Sequence, residues 1–124
     1  MLFFNNQNQT EMKAKKKFFK ECHVAGRRYH DANEVWDELN VGTRISLVKD
    51  SENRYDPEAV ALVYTDNEGE DYVIGYIPRS ENTEISAFLE MGWGEVFECR
   101  ISQKKPDAPP EQQLYVTIRI NCNN

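Results

Sequence analysis

Six side chains in three short segments have the types and spacing to hold an unpaired nucleotide. Arg28 and Tyr29 stand in Gly26-Arg27-Arg28-Tyr29-His30, and Tyr55 and Asp56 in Asn53-Arg54-Tyr55-Asp56-Pro57. Tyr76 and Arg79 stand in Gly75-Tyr76-Ile77-Pro78-Arg79. A phenol ring offers a face on which any base can stack, and a guanidinium holds phosphate. A carboxylate among them repels phosphate but accepts a hydrogen bond from a sugar hydroxyl. The same segments also have an ordinary structural reading. A Tyr-Asp-Pro corner makes a turn in which Asp56 takes nearby backbone N–H groups, and Arg27-Arg28 serves as solubilising charge. Residue types and spacing leave both readings standing.

Catalytic chemistry finds less support. A nucleophilic pair would need a Cys beside His23 or His30, but Cys22 and His23 are neighbours in a strand and point to opposite faces. Cys99 falls where a core strand wants a small apolar group. A zinc site needs several ligands at short spacing, and no C-x-x-C or H-x-x-x-H run is present. No G-x-x-x-x-G-K-[S/T] phosphate loop occurs either. The expectation is a non-catalytic protein with no metal and no cofactor.

The elements that must position these side chains are mostly strands. Phe18–Ala25 has mixed polarity and ends at Gly26, and period-2 alternation follows in 43–48, 59–64, 72–77, 95–101 and 114–120. Asp66-Asn67-Glu68-Gly69 reads as a hairpin turn, and 104–113, with three prolines, as a loop. Two short helices are expected. One is 33–39, capped by Asn33, with Val35, Trp36 and Leu39 inward; the other is 82–92, capped by Asn82, with Ile85, Phe88 and Leu89 inward and Gly92 at its end. Residues 1–16 read as a loosely ordered terminus and 17–122 as the domain. The fold class is mostly β (α+β): a small OB-like or SH3-like six-stranded antiparallel β-barrel with two short α-helices.

Composition sets outer limits. The chain's 124 residues have room for one domain, and its 14 aromatics (6 Phe, 6 Tyr, 2 Trp) supply a core. No apolar run approaches the length of a membrane span, and three widely spaced cysteines suit reduced thiols, so a cytoplasmic protein is expected. The net charge of −6 is unevenly placed: residues 1–30 carry seven basic against two acidic groups, and the remainder eight against 19. That balance excludes a protein that coats duplex DNA, which needs a broad basic face. It leaves room for a small local anion site.

The order Val24-Ala25-Gly26-Arg27-Arg28-Tyr29, then Lys49-Asp50-Ser51-Glu52-Asn53-Arg54-Tyr55-Asp56-Pro57-Glu58-Ala59-Val60, then Ile74-Gly75-Tyr76-Ile77-Pro78-Arg79 resembles the HIRAN domain family. The likeness runs from about Phe18 to Ile120 and is similar to small single-domain bacterial members. It implies an OB-like barrel that binds single-stranded DNA, at a free 3′ end, in DNA repair or processing, with repair or restriction proteins as partners. Carried over by position, Arg28 and Tyr29 match an arginine that holds phosphate and an aromatic that stacks on the terminal base. Tyr55 matches a second stacking ring, Asp56 the carboxylate that receives the 3′-hydroxyl, and Arg79 a phosphate contact. Tyr76 stands where a neighbouring polar ring lies. The sequence departs from the pattern where Arg27 replaces an apolar residue and Arg54 a commoner proline, and no later-loop aromatic aligns within 102–115. The alternative is a protein–protein interaction module on the same barrel, without DNA binding.

Overall fold

The computed structural model describes residues 15–122; most of the terminus expected at 1–16 lies outside them. Six strands form: β1 (Lys17–His23), β2 (Arg44–Lys49), β3 (Val60–Thr65), β4 (Asp71–Tyr76), β5 (Phe97–Lys104) and β6 (Leu114–Ile120). They make one antiparallel sheet in the order β1-β6-β5-β2-β3-β4. Alternation explains the elements. In β6, Leu114, Val116 and Ile118 are fully buried, while Tyr115 is half-buried and Arg119 exposed. β2 is the corner of the sheet: Arg44 and Ile45 pair with β5, and Ser46 to Lys49 pair with β3. The hairpin expected at Asp66–Gly69 joins β3 to β4, with the Gly69 N–H donating to the Asp66 carbonyl at 3.0 Å.

The two edges of this sheet meet at one place. Beyond β1, Ala25 forms an isolated bridge with Tyr76 at the end of β4, its N–H and carbonyl exchanging bonds of 2.8 and 2.9 Å. The fold is therefore a rolled, OB-like open sheet stitched at a single point, and not the closed barrel that the strand count suggests. Gly75 is what lets the stitch form. A Cβ at this position would sit 2.8 Å from the Ala25 carbonyl oxygen and deep inside the van der Waals shell of Val24 Cγ1.

The helices need correction. The segment expected as an α-helix at 33–39 is a 3-10 helix over Asp31–Glu38, interrupted at Val35 (φ −123°). Asn33 does not cap it; its Oδ1 accepts a 2.7 Å bond from Arg27 Nη2. Arg27 is not solubilising charge either: it is 6% exposed, its guanidinium 4.4 Å from the Trp36 ring centre, and burial lowers its pKa. The second helix, α1 (Thr83–Glu90), does form after Asn82, but the Asn82 side chain is turned away from the cap and buried. Ile85 is buried as expected; Phe88 is half out, its ring tilted against that of Phe97 with centres 5.5 Å apart. In the loop after β5, Pro110–Gln112 adds a 3-10 turn. Among the described residues no helix is long and apolar enough to cross a membrane.

Candidate nucleic-acid interface

Strand pairing gathers the three sequence segments at one end of the sheet. β4 runs antiparallel to β3, so Tyr76 at its end lies opposite Ala61, just after the 50–59 loop. The Ala25–Tyr76 bridge brings the 3-10 turn Arg27–Tyr29 to the same end. The start of β6 joins them, since the Val24 N–H donates to the Leu114 carbonyl at 2.8 Å.

Arg28 and Tyr29 share an open hollow of about 450 Å³ with Gly26, Pro109, Pro110 and Glu111. Tyr29 is 70% exposed, and Arg28 both lies against its ring, 4.9 Å from the centre, and donates from Nη2 to its hydroxyl at 2.7 Å. That bond, with a smaller contribution from the Glu111 charge, raises the Arg28 pKa further above its ordinary value. The guanidinium therefore stays charged at any physiological pH and sits beside an aromatic face.

Tyr55 and Asp56 ride on a turn built by Asn53. The Asn53 Oδ1 accepts the N–H groups of Tyr55 (2.8 Å) and Asp56 (2.9 Å). This ties down the backbone and leaves the Tyr55 ring 83% exposed. The Asp56 carboxylate is half-buried and held from both sides: the Glu58 N–H donates to Oδ1 at 2.9 Å and Asn82 Nδ2 to Oδ2 at 2.8 Å. Each oxygen keeps accepting capacity, as a carboxylate has about four lone-pair sites. The structural turn reading for Asp56 is thus correct as far as it goes, and it leaves a fixed acceptor at the surface.

Tyr76 connects the two groups. Its ring lies 5.2 Å from that of His30, next to Tyr29, and its hydroxyl donates to Asp50 Oδ2 at 2.7 Å. Asn53 Nδ2 reaches the same oxygen at 3.4 Å. Burial, then the Asp50 bond, pushes the Tyr76 pKa up to about 12. Tyr76 is therefore a neutral donor tied into the scaffold, whereas Tyr29 and Tyr55 are open rings. Arg79 is exposed at the start of the 3-10 turn Arg79–Glu81, which leads straight to Asn82. No hydrogen bond or ion pair engages its side chain among the described residues, so it is available to an anion.

Four contributors escaped sequence reasoning. Asp50 and Asn53 lie within the quoted segments, but no spacing rule says that their side chains meet Tyr76 and the turn. Asn82 carried a capping signal and serves Asp56 instead. Glu111 had no local signal at all: its carboxylate accepts the Gly26 N–H across 85 positions of sequence, at 2.9 and 3.1 Å. Two of the three thiols are ill suited to nucleophilic chemistry. Cys22 and Cys99 are buried, and burial drives both thiol pKa values up, that of Cys22 to about 12. Among the described residues no group of three or more His, Cys, Asp or Glu is placed to hold a metal ion.

Comparison with known proteins bears on the family and the fold. Residues 17–122 match the HIRAN domain. The chain is 32% identical over 100 residues to a Fanconi-associated nuclease 1 homolog from Oryza sativa subsp. japonica, covering 80% of this chain but only 9% of the rice protein. Among solved structures, a protein from Lactobacillus plantarum superposes with a TM-score of 0.68 at 20% identity, covering 86% of this chain and 95% of that one. The HIRAN domain of human HLTF superposes with a TM-score of 0.52 at 16% identity, covering 86% and 80%. At those identities the structures speak for the fold alone.

Proposed function

The chain belongs to the HIRAN domain family, and from that premise we propose that it is a non-catalytic module that binds single-stranded DNA at a free 3′-hydroxyl end. One observation carries the reading. Two tyrosines, 70% and 83% exposed, stand on the loops at one end of the sheet, Tyr29 against Arg28 and Tyr55 next in sequence to the fixed carboxylate of Asp56, with Arg79 on the turn that follows β4. Rings this exposed leave most of their surface to solvent. Each contributes about 1–3 kcal/mol when a base stacks on it, whatever the base. Arg28 and Arg79 hold backbone phosphates. Asp56 accepts the hydrogen bond of a terminal hydroxyl and rejects a strand that continues into phosphate, where like charges meet. Tyr76 and Asn82 position this set rather than touch DNA. The balance of −11 over residues 31–124 fits capture of an end and opposes coating of a strand. Its setting would be DNA repair or processing in the cytoplasm, with repair or restriction proteins as partners.

Topology of the DNA tests the end reading directly. Linear and circular single strands of equal length and sequence are titrated by electrophoretic shift. The linear strand binds at micromolar protein and the circle at least about tenfold more weakly. Equal binding overturns end capture, and binding of neither overturns DNA binding altogether.

A second reading, a protein-contact module on the same sheet, has one observation in its favour. Phe88, Met91 and Trp93 are 45%, 67% and 62% exposed around an apolar hollow of about 400 Å³ at the end of α1 remote from Asn82. Under that reading a repair-protein partner stays bound after nuclease treatment, resists Tyr55→Ala and is lost with Trp93→Ala.

A further inference from the structure

We propose that Glu111 makes the Tyr29 hollow selective for the terminal base, favouring guanine and disfavouring thymine. The inference rests on the DNA reading above and adds a specificity residue to it. The carboxylate is held in place: both oxygens lie within 3.1 Å of the Gly26 nitrogen, and Oε1 is 3.8 Å from His23 Nε2. It is nonetheless half exposed, at 50%, and lines the same hollow as the Tyr29 ring, Pro109 and Pro110. One backbone N–H occupies only part of its accepting capacity. Facing it are the Arg28 guanidinium, from across the hollow, and the His23 imidazole.

A base lying on the Tyr29 ring, against the two prolines, presents its edge to an acceptor that has nothing to donate. Guanine meets it with two adjacent donors, N1–H and the N2 amino group, which match the two carboxylate oxygens. Cytosine and adenine offer one amino group each. Thymine offers a single N–H flanked by carbonyl oxygens, which the carboxylate repels. Edge contacts of this kind discriminate by about fivefold or more where two bonds form; half exposure places the effect toward the lower end of that range.

The test uses four single-stranded oligonucleotides that differ only in the 3′-terminal base, titrated by fluorescence anisotropy against the wild-type chain and Glu111→Gln. The wild type binds the dG end at least about fivefold more tightly than the dT end, and Glu111→Gln brings the two within about twofold by improving dT. Because the readout is a ratio between oligonucleotides on one protein sample, a partly unfolded variant lowers all four equally and leaves the ratio intact. Equal affinity of the wild type for all four overturns the role of Glu111 and leaves end binding standing. A preference that persists unchanged in Glu111→Gln also overturns it. Binding of none of the four overturns the DNA reading and this inference with it.

Discussion

Replacing Gly75 with alanine should damage the molecule where its two halves are stitched together. The new methyl group would lie 2.8 Å from the Ala25 carbonyl oxygen and overlap Val24 Cγ1. The first neighbour is backbone and the second is a fully buried side chain, so neither can step aside. Overpacking of this kind costs about 1–3 kcal/mol. If the strands part to relieve it, the two Ala25–Tyr76 backbone bonds are lost instead, at about 0.5–1.5 kcal/mol each. Gly75 also has a positive φ of +153°, so alanine adds backbone strain of about 1–2 kcal/mol. The expected loss is then roughly 2–5 kcal/mol, a fall of about 10 °C or more in Tm for a domain of this size. Gly92 is the control, with a left-handed φ of +82° and nothing within 4 Å of the place a methyl group would take. Its alanine variant suffers backbone strain alone, about 1–2 kcal/mol. Thermal melts followed by circular dichroism compare the two. A Gly75→Ala variant no less stable than Gly92→Ala refutes the crowding argument and the claim that this bridge ties the site together.

Tyr55→Ala should weaken single-stranded DNA binding by about 5- to 150-fold, the equivalent of one stacked base. Its Tm should move little, because the ring is 83% exposed and the residue holds its turn through the backbone N–H; a large loss of stability with DNA affinity intact contradicts its assignment. Tyr76→Phe tests the scaffold through pH. The folded Tyr76 pKa is raised from 10.0 to about 12 by burial and Asp50, so its contribution to stability is complete below pH 10 and is lost as pH rises toward 12. Denaturant melts at pH 8, 10 and 11.5 should show the gap between wild type and Tyr76→Phe closing with rising pH; a constant gap is inconsistent with the Tyr76–Asp50 bond.

The strands were legible because each has at least one buried face, and a period of two survives in the order of residues, as Leu114, Val116 and Ile118 show. The 33–39 segment misled for a physical reason. Its apolar spacing fits a helix, but Arg27 reaches across from the preceding turn, covers Trp36 and takes the Asn33 side chain that would have capped it. Asn82 is a similar case, spent on Asp56 rather than on its own helix. Closure by a single bridge depends on Val24 passing over Gly75, a close approach that composition cannot express. The six candidate side chains could be named from motifs, yet their division of labour could not. Exposure separates Tyr29 and Tyr55 from the tethered Tyr76, and exposure is a property of the assembled sheet. Glu111 marks the limit, since only folding brings it to Gly26.

The central claim is that Asp56 recognises a terminal 3′-hydroxyl, and one comparison addresses it most directly. Two oligonucleotides of identical sequence, one ending in 3′-hydroxyl and the other in 3′-phosphate, are titrated by fluorescence anisotropy at one salt concentration. The hydroxyl end should bind at least about tenfold more tightly, from loss of a charge-assisted hydrogen bond and meeting of like charges at Asp56. Equal affinity for the two ends, or tighter binding of the phosphate, would contradict the account.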